Sequence, residues 1–300
     1  MILFTADWHI KLGQKNVPVA WAKNRYDMFF QQVHEISESV DMHIIGGDLF
    51  DRMPTLEELE LYFSFIREVR VPTLIFDGNH EATKKNQTFF TNLAAVTKAI
   101  NPRVEVLTET QEYDDFSILP YCDLHKKGQI EGLNKSKPLY THVRGEIPPH
   151  VKPEVDLDRL SDFPIVYAGD LHSHSNTQRN IVYPGSPMTT SFHRSEVSTG
   201  YLIIDGTEWS WKEFELPQLL RKTVTSPNEM VPTEYHHTIY EIEGDLAELA
   251  NVKSSELLDK GMTIQEELSE YLLYILELPE TTVKDVVGVF SDYAKQVNVE

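Results

Sequence analysis

Three hundred residues with 41% apolar side chains are enough for a sizeable core, and no run approaches the roughly 18 apolar residues that span a bilayer. The single cysteine, Cys122, excludes a disulfide framework, and the opening MILFTADWHI lacks a basic stretch or cleavage site, so a chain of the reducing cytoplasm is expected. A net charge of −20, from 27 basic and 47 acidic side chains, speaks against the broad basic footprint of a polyanion binder without excluding one.

ILFTAD reads as a strand, and Trp21, Met28, Phe29 and Val33 at helical spacing predict a helix around 22–39. DMHIIGGD is a second short apolar run. In PTLEELELYFSFIREVR, Thr55 and Glu58 form a capping-box pair ahead of an amphipathic helix. VPTLIFDGNHE is a third strand ending in a turn. This alternation of strands and helices predicts parallel strands whose following residues gather at one edge of a sheet.

Each of those strand ends carries a polar cluster: Asp7 with His9, Asp48 with Asp51, Asn79 with His80. Two later apolar runs, PLYTH and FPIVYAGDLH, end the same way in His142 and in Asp170 with His172. Five segments thus deliver ligand-type side chains to one kind of place. Beyond Gly206, EWSWKEFELP and EYHHTIYEIEGD read as short β-runs around the turn-rich TSPNEMVP. From about 254 the pattern is helical. Thr263 and Glu266 form a second capping box, Leu268, Leu272 and Ile275 share a face, Pro279 breaks the run, and a final helix presents Val283, Val286, Val287 and Phe290. Residues 241–300 carry 14 acidic and 4 basic side chains, half of the whole imbalance.

Asp-x-His, Gly-Asp-x-x-Asp, Gly-Asn-His-Glu, a lone His and Gly-Asp-x-His is the ligand order of a two-metal phosphoesterase. Carboxylate oxygens and imidazole nitrogens suit manganese, iron or zinc, and an uncharged amide completes coordination without adding charge. Two such ions clamp a phosphate and activate a water. TADWH, IIGGDLFD, FDGNHE and VYPGSP resemble the calcineurin-like metallophosphoesterases, and among them the DNA-repair nuclease subunits of the SbcCD type and their phage counterparts. The resemblance covers roughly residues 1–205. It implies Asp7, His9, Asp48 and His172 around one metal, Asp48, Asn79, His142 and Asp170 around the other, a bridging Asp48, and His80 as the non-ligand that protonates the leaving oxygen or steadies the phosphate.

The nuclease pattern has Gly-His-x-His where this chain has Gly169-Asp170-Leu171-His172, so Asp170 takes the first histidine's place and His174 falls outside. The alternative register pairs His172 with His174. An aspartate, a harder ligand than imidazole, favours manganese or magnesium. His125 and His150 compete with His142, Asp51 caps the next turn or supports a ligand, and His236/His237 are expected on a solvent-facing strand. Trp209 and Trp211 are expected in the core of the accessory region, and Lys84/Lys85 against a DNA backbone or in a solvated loop.

The expected fold is an α/β metallophosphoesterase sandwich (1–206) with a small α+β capping or DNA-binding module (207–252) and a helical C-terminal segment (253–300). The resemblance implies a manganese-dependent nuclease, exonucleolytic on duplex DNA and endonucleolytic on single strands, that serves recombination, repair or replication-linked end processing. It further implies an SMC-like ATPase of the SbcC type gripped by the C-terminal helices, in a heterotetramer built on a nuclease homodimer. Two rival functions are a phosphatase or phosphodiesterase for small substrates and a non-catalytic scaffold for DNA ends.

Overall fold

The computed structural model describes residues 1–84, 87–231, 235–243, 272 and 279–296. Lys85, the Thr263/Glu266 pair, Leu268 and Ile275 lie outside those residues, as does the side chain of Phe290. Residues 1–242 form one compact unit and 243–300 a second.

The first half of the large unit alternates strand and helix: β1 (Ile2–Thr5), α1 (Val19–Ser37), β2 (Met42–Gly46), α2 (Leu56–Glu68), β3 (Thr73–Phe76), a hairpin of β4 (Ala82–Lys84) and β5 (Gln87–Thr88), α3 (Phe90–Ile100) and β6 (Val104–Leu107). As predicted, β1, β2 and β3 run parallel, joined through α1 and α2, and α3 adds β6 as a fourth parallel strand that the sequence reading did not name. α1 buries Ala22, Tyr26, Phe29, Phe30 and Val33, one stripe at helical spacing, against Leu3, Ile45 and Ile75 of the sheet. α2 begins where the sequence places it: Glu58 N donates to the Thr55 hydroxyl, and Thr55 N donates back to the Glu58 carboxylate at 2.8 Å.

The second half builds a facing sheet: β7 (Gln111–Glu112), β8 (Ser117–Leu119), the short helices α4 (Tyr121–Leu124) and α5 (Gln129–Gly132), β9 (Leu139–His142), β10 (Val166–Gly169) and β11 (Ile181–Val182). The chain then returns to the first sheet with β12 (Gly200–Asp205), antiparallel to β1, and β13 (Glu208–Glu213) at its edge. The expected divide at 206/207 therefore falls in the turn between two paired strands. β14 (Leu219–Val224) and β15 (His237–Ile242) form a separate parallel pair.

Phe4, Ile44 and Phe76 of the first sheet meet Ile118, Tyr140 and Tyr167 of the second in a core between the sheets. A separate cluster, including Leu119, Leu139, Val166 and Leu160, fills the outer face of the second sheet. Helices thus cover the outer faces and the sheets pack on each other, a layered α/β sandwich. At the C-terminal ends of the strands the two sheets nearly touch. A Cβ added to Gly169 would lie 2.4 Å from the Gly46 carbonyl oxygen and 2.6 Å from His142 Nδ1, so only glycine allows that approach.

The small unit contributes α6 (Glu280–Gln296). Of its expected apolar face, Val283 is buried, Val287 half-buried and Val286 exposed, and Val289 is 73% exposed. Among the described residues no helix is long and apolar enough to cross a membrane.

Candidate metal centre

Five strand ends converge on one place. The loops after β1 and β2 are laced together by Asp7 N donating to Gly47 O (3.1 Å) and His9 N donating to Asp48 O (2.9 Å). Asp7, His9, Asp48 and Asp170 all have positive φ, at 57°, 46°, 49° and 101°. Non-glycine residues rarely enter this region, and when several do so in one small volume the surrounding fold is holding them against local preference, as happens at functional sites.

The side chains form overlapping donor sets. Ligand atoms of Asp7, His9 and His172 lie within 4.8 Å of one another, as do those of Asp7, Asp48 and His142, and of His9, Asp48 and His80. The Nε2 atoms of His9 and His172 face each other at 3.0 Å. His142 Nε2 lies 3.1 Å from Asn79 Oδ1, 3.5 Å from Asp48 Oδ2 and 3.9 Å from Asp170 Oδ1. His142 Nδ1 donates to the Gly46 carbonyl at 2.9 Å, a second partner that turns Nε2 toward the cluster. Asp48, within reach of both imidazole groups, sits between the two halves.

Electrostatics fit the same reading. Burial pushes the Asp7 carboxyl up to about 8 and holds the His9 imidazole down to about 3. Against the same burial, His142, His9 and His80 hold Asp48 well below the usual carboxylate range, and Asp48, Asp7 and Asp170 raise His142. His9 Nδ1 is buried without a hydrogen-bond partner, and Asp7 ionises reluctantly where it stands. A divalent cation among these oxygens and nitrogens would supply the counter-charge that buried carboxylates need. The mixed N/O donor set suits such an ion.

All eight residues singled out from the sequence come together here. His80, like His172, lies on the exposed side of the cluster: its side chain is 35% exposed, its Nδ1 donates to the Asp51 carbonyl, and its Nε2 is 3.9 Å from Asp48 Oδ2. His174 points elsewhere, with Nδ1 on the Tyr183 carbonyl and its ring stacked on Trp211. His125 lies 3.6 Å from Glu154, and neither it nor His150 joins a donor set. Asp51 pairs with Lys11 Nζ at 2.8 Å and lies 3.8 Å from His9 Nδ1.

Other expectations need correction. Trp209 is 38% exposed rather than core, because β13 is an edge strand, while Trp211 is half-buried with Nε1 donating to Pro184 O. His236 and His237 are half-buried rather than solvent-facing, since His236 Nδ1 accepts from Gln218 N and the His237 ring packs on Trp21. Two residues escaped the sequence reading. The fully buried Glu81 carboxylate accepts from Asp48 N, Phe50 N and Gly78 N, clamping the loops after β2 and β3 together. Arg144 holds Asp170 in a two-pronged pair, Nε to Oδ2 at 3.2 Å and Nη2 to Oδ1 at 3.1 Å. Glu81 was in view as the last letter of GNHE; Arg144 carried no local signal.

Residues 1–198 match the family model described as calcineurin-like phosphoesterase. The chain is 39% identical over 321 residues to "Probable exonuclease subunit 1" of Escherichia phage T5, covering 99% of this chain and 98% of that protein. It is 28% identical to "Putative phosphoesterase 078R" of Invertebrate iridescent virus 3, over 75% of this chain and 69% of that protein. A counterpart in Invertebrate iridescent virus 6, "Putative phosphoesterase 244L", is 26% identical over 75% of this chain and 82% of that protein.

Proposed function

The chain belongs to the calcineurin-like phosphoesterases, and from that premise we propose that it is the nuclease subunit of a DNA-processing complex, a phosphodiesterase dependent on two divalent ions. The observation that carries the reading is the convergence of Asp7, His9, Asp48, Asn79, His142, Asp170 and His172 from five strand ends onto one cluster, buried at Asp7, His9, Asp48 and His142 and open to solvent at His172, with His80 beside it. The near full-length similarity to a phage protein named as an exonuclease subunit supports DNA as the substrate.

In this reading Asp7, His9, Asp48 and His172 hold one ion, and Asp48, Asn79, His142 and Asp170 the other. Bound there, the ions supply Lewis-acid clamping of a phosphodiester and a nucleophile available at neutral pH. The aspartate at 170 makes manganese the preferred ion, with magnesium second. The protein's own contribution is orientation. Gly46 O and Thr190 Oγ1 aim the His142 and His172 rings, Glu81 fixes the backbone that carries Asp48, and Asp51 O leaves His80 Nε2 to hand a proton to the leaving oxygen.

We assign the residues beyond the edge strand β13, 214–252, to a DNA-contacting cap and 253–300 to the binding of an SMC-like ATPase of the SbcC type, in the host cytoplasm, with the nuclease as a homodimer. The test is to incubate the purified chain with labelled duplex DNA, single-stranded DNA and a chromogenic phosphodiester, with manganese and with EDTA. DNA should be cut in manganese only. Cleavage of the small ester alone would mark a small-substrate phosphodiesterase, and DNA binding without any cleavage a scaffold.

A further inference from the structure

His142 and Arg144 leave the same strand end, β9, and both reach Asp170. The Asp170 side chain is 5% exposed, and the oxygen nearest His142 Nε2, Oδ1 at 3.9 Å, is also the one that accepts from Arg144 Nη2 at 3.1 Å. Asp170 is further pinned by its own N–H, which donates to Asp7 Oδ1 at 3.0 Å, so the carboxylate has little freedom to serve a new partner from another position. The Arg144 guanidinium, by contrast, is 40% exposed and its backbone is anchored separately, its N–H donating to Glu154 Oε1 at 2.8 Å. A planar fork on a carboxylate is a strong, geometrically specific pair, and a fixed positive charge next to a cation site opposes any cation that enters.

We propose that Arg144 competes with the second divalent ion for Asp170 and, once displaced, turns its guanidinium to a non-bridging oxygen of the phosphodiester. The inference rests on the two-ion reading of the site. Arginine is suited to both states, because the fork that matches a carboxylate also matches a phosphate. The second ion therefore binds weakly in the free protein and more tightly when a phosphate is present to receive the arginine. The cost of displacing Arg144 is then offset by a contact that only substrate provides.

The experiment is calorimetric titration of manganese into the full chain, as wild type, Arg144→Ala and Arg144→Lys, each with an intact far-UV circular dichroism spectrum. Wild type should show two binding steps. Arg144→Ala should tighten the weaker step by about tenfold and leave the tighter one unchanged, with Arg144→Lys, which keeps the charge but not the fork, in between. At saturating manganese, the KM of Arg144→Ala for a chromogenic phosphodiester should rise by about tenfold, because the freed guanidinium is gone. A weaker step that is unchanged or weakened in Arg144→Ala overturns the competition, and an unchanged KM overturns the hand-over to phosphate. A wild-type chain with no manganese binding at all fails differently: it removes the two-ion reading itself.

Discussion

A histidine that donates one ring proton to a backbone carbonyl has a single nitrogen left for chemistry, and His80 is held that way by Asp51 O. His80→Ala should lower cleavage by about a hundredfold to ten-thousandfold, the range of general acid catalysis, while elemental analysis finds the metal content near that of wild type. Loss of both metals in that variant would move His80 into the coordination sphere. The neighbouring assignment is tested by ranking. Asp170→Ala should cut activity and second-ion occupancy at least about tenfold, and His174→Ala much less, since the ring of His174 rests on Trp211. The reverse order would restore the register that pairs His172 with His174. Asp7, His9 and Asp48 were legible because each follows an apolar run at a strand end. The roles of Arg144 and Glu81 were not, because the partner of Arg144 lies 26 residues away and two of the three donors to Glu81 lie 33 and 31 residues away, so only the tertiary fold supplies them.

At the scale of elements, the start of α2 does more than begin a helix. The buried Glu58 carboxylate accepts from Thr55 N and from Leu12 N, each at 2.8 Å, and from the Arg52 guanidinium, so the helix cap also fastens the loop that follows Asp7 and His9. Burial opposes the charge, but Arg52 and the two backbone donors outweigh it and hold Glu58 below the ordinary glutamate value of 4.5. A carboxylate depressed in the folded state stabilises above its unfolded value and loses that contribution as pH falls through the folded one. Glu58→Gln should therefore cost about 2 kcal/mol at pH 7 by denaturant titration, and the gap to wild type should close as pH drops below 4.5. A gap that does not change with pH would mean that shape rather than charge is what counts. The capping box and the parallel strands could be read from sequence, as local signals. The β4–β5 hairpin, the antiparallel return of β12 and the parallel β14–β15 pair could not, because strands of two to six residues take their pairing from partners elsewhere in the chain.

For the molecule as a whole, the uneven charge becomes a prediction about assembly. The compact unit ends at residue 242, and the acidic last fifth belongs to the other. Deleting residues 254–300 should leave manganese-dependent hydrolysis of a small phosphodiester intact and abolish co-purification with the ATPase. If the shortened chain still retains the ATPase at full strength, the partner surface lies within the large unit. The candidate ligands are spread from Asp7 to His172 and are brought together only where the ends of two sheets meet at Gly46 and Gly169. A chain made only as far as residue 141 has Asp7, His9, Asp48 and Asn79 but neither His142, Asp170 nor His172, so it can complete neither of the two proposed cation sites. On the two-ion reading, cutting power would therefore appear only once the chain has grown past its midpoint, so no N-terminal fragment ending before residue 170 would be a nuclease.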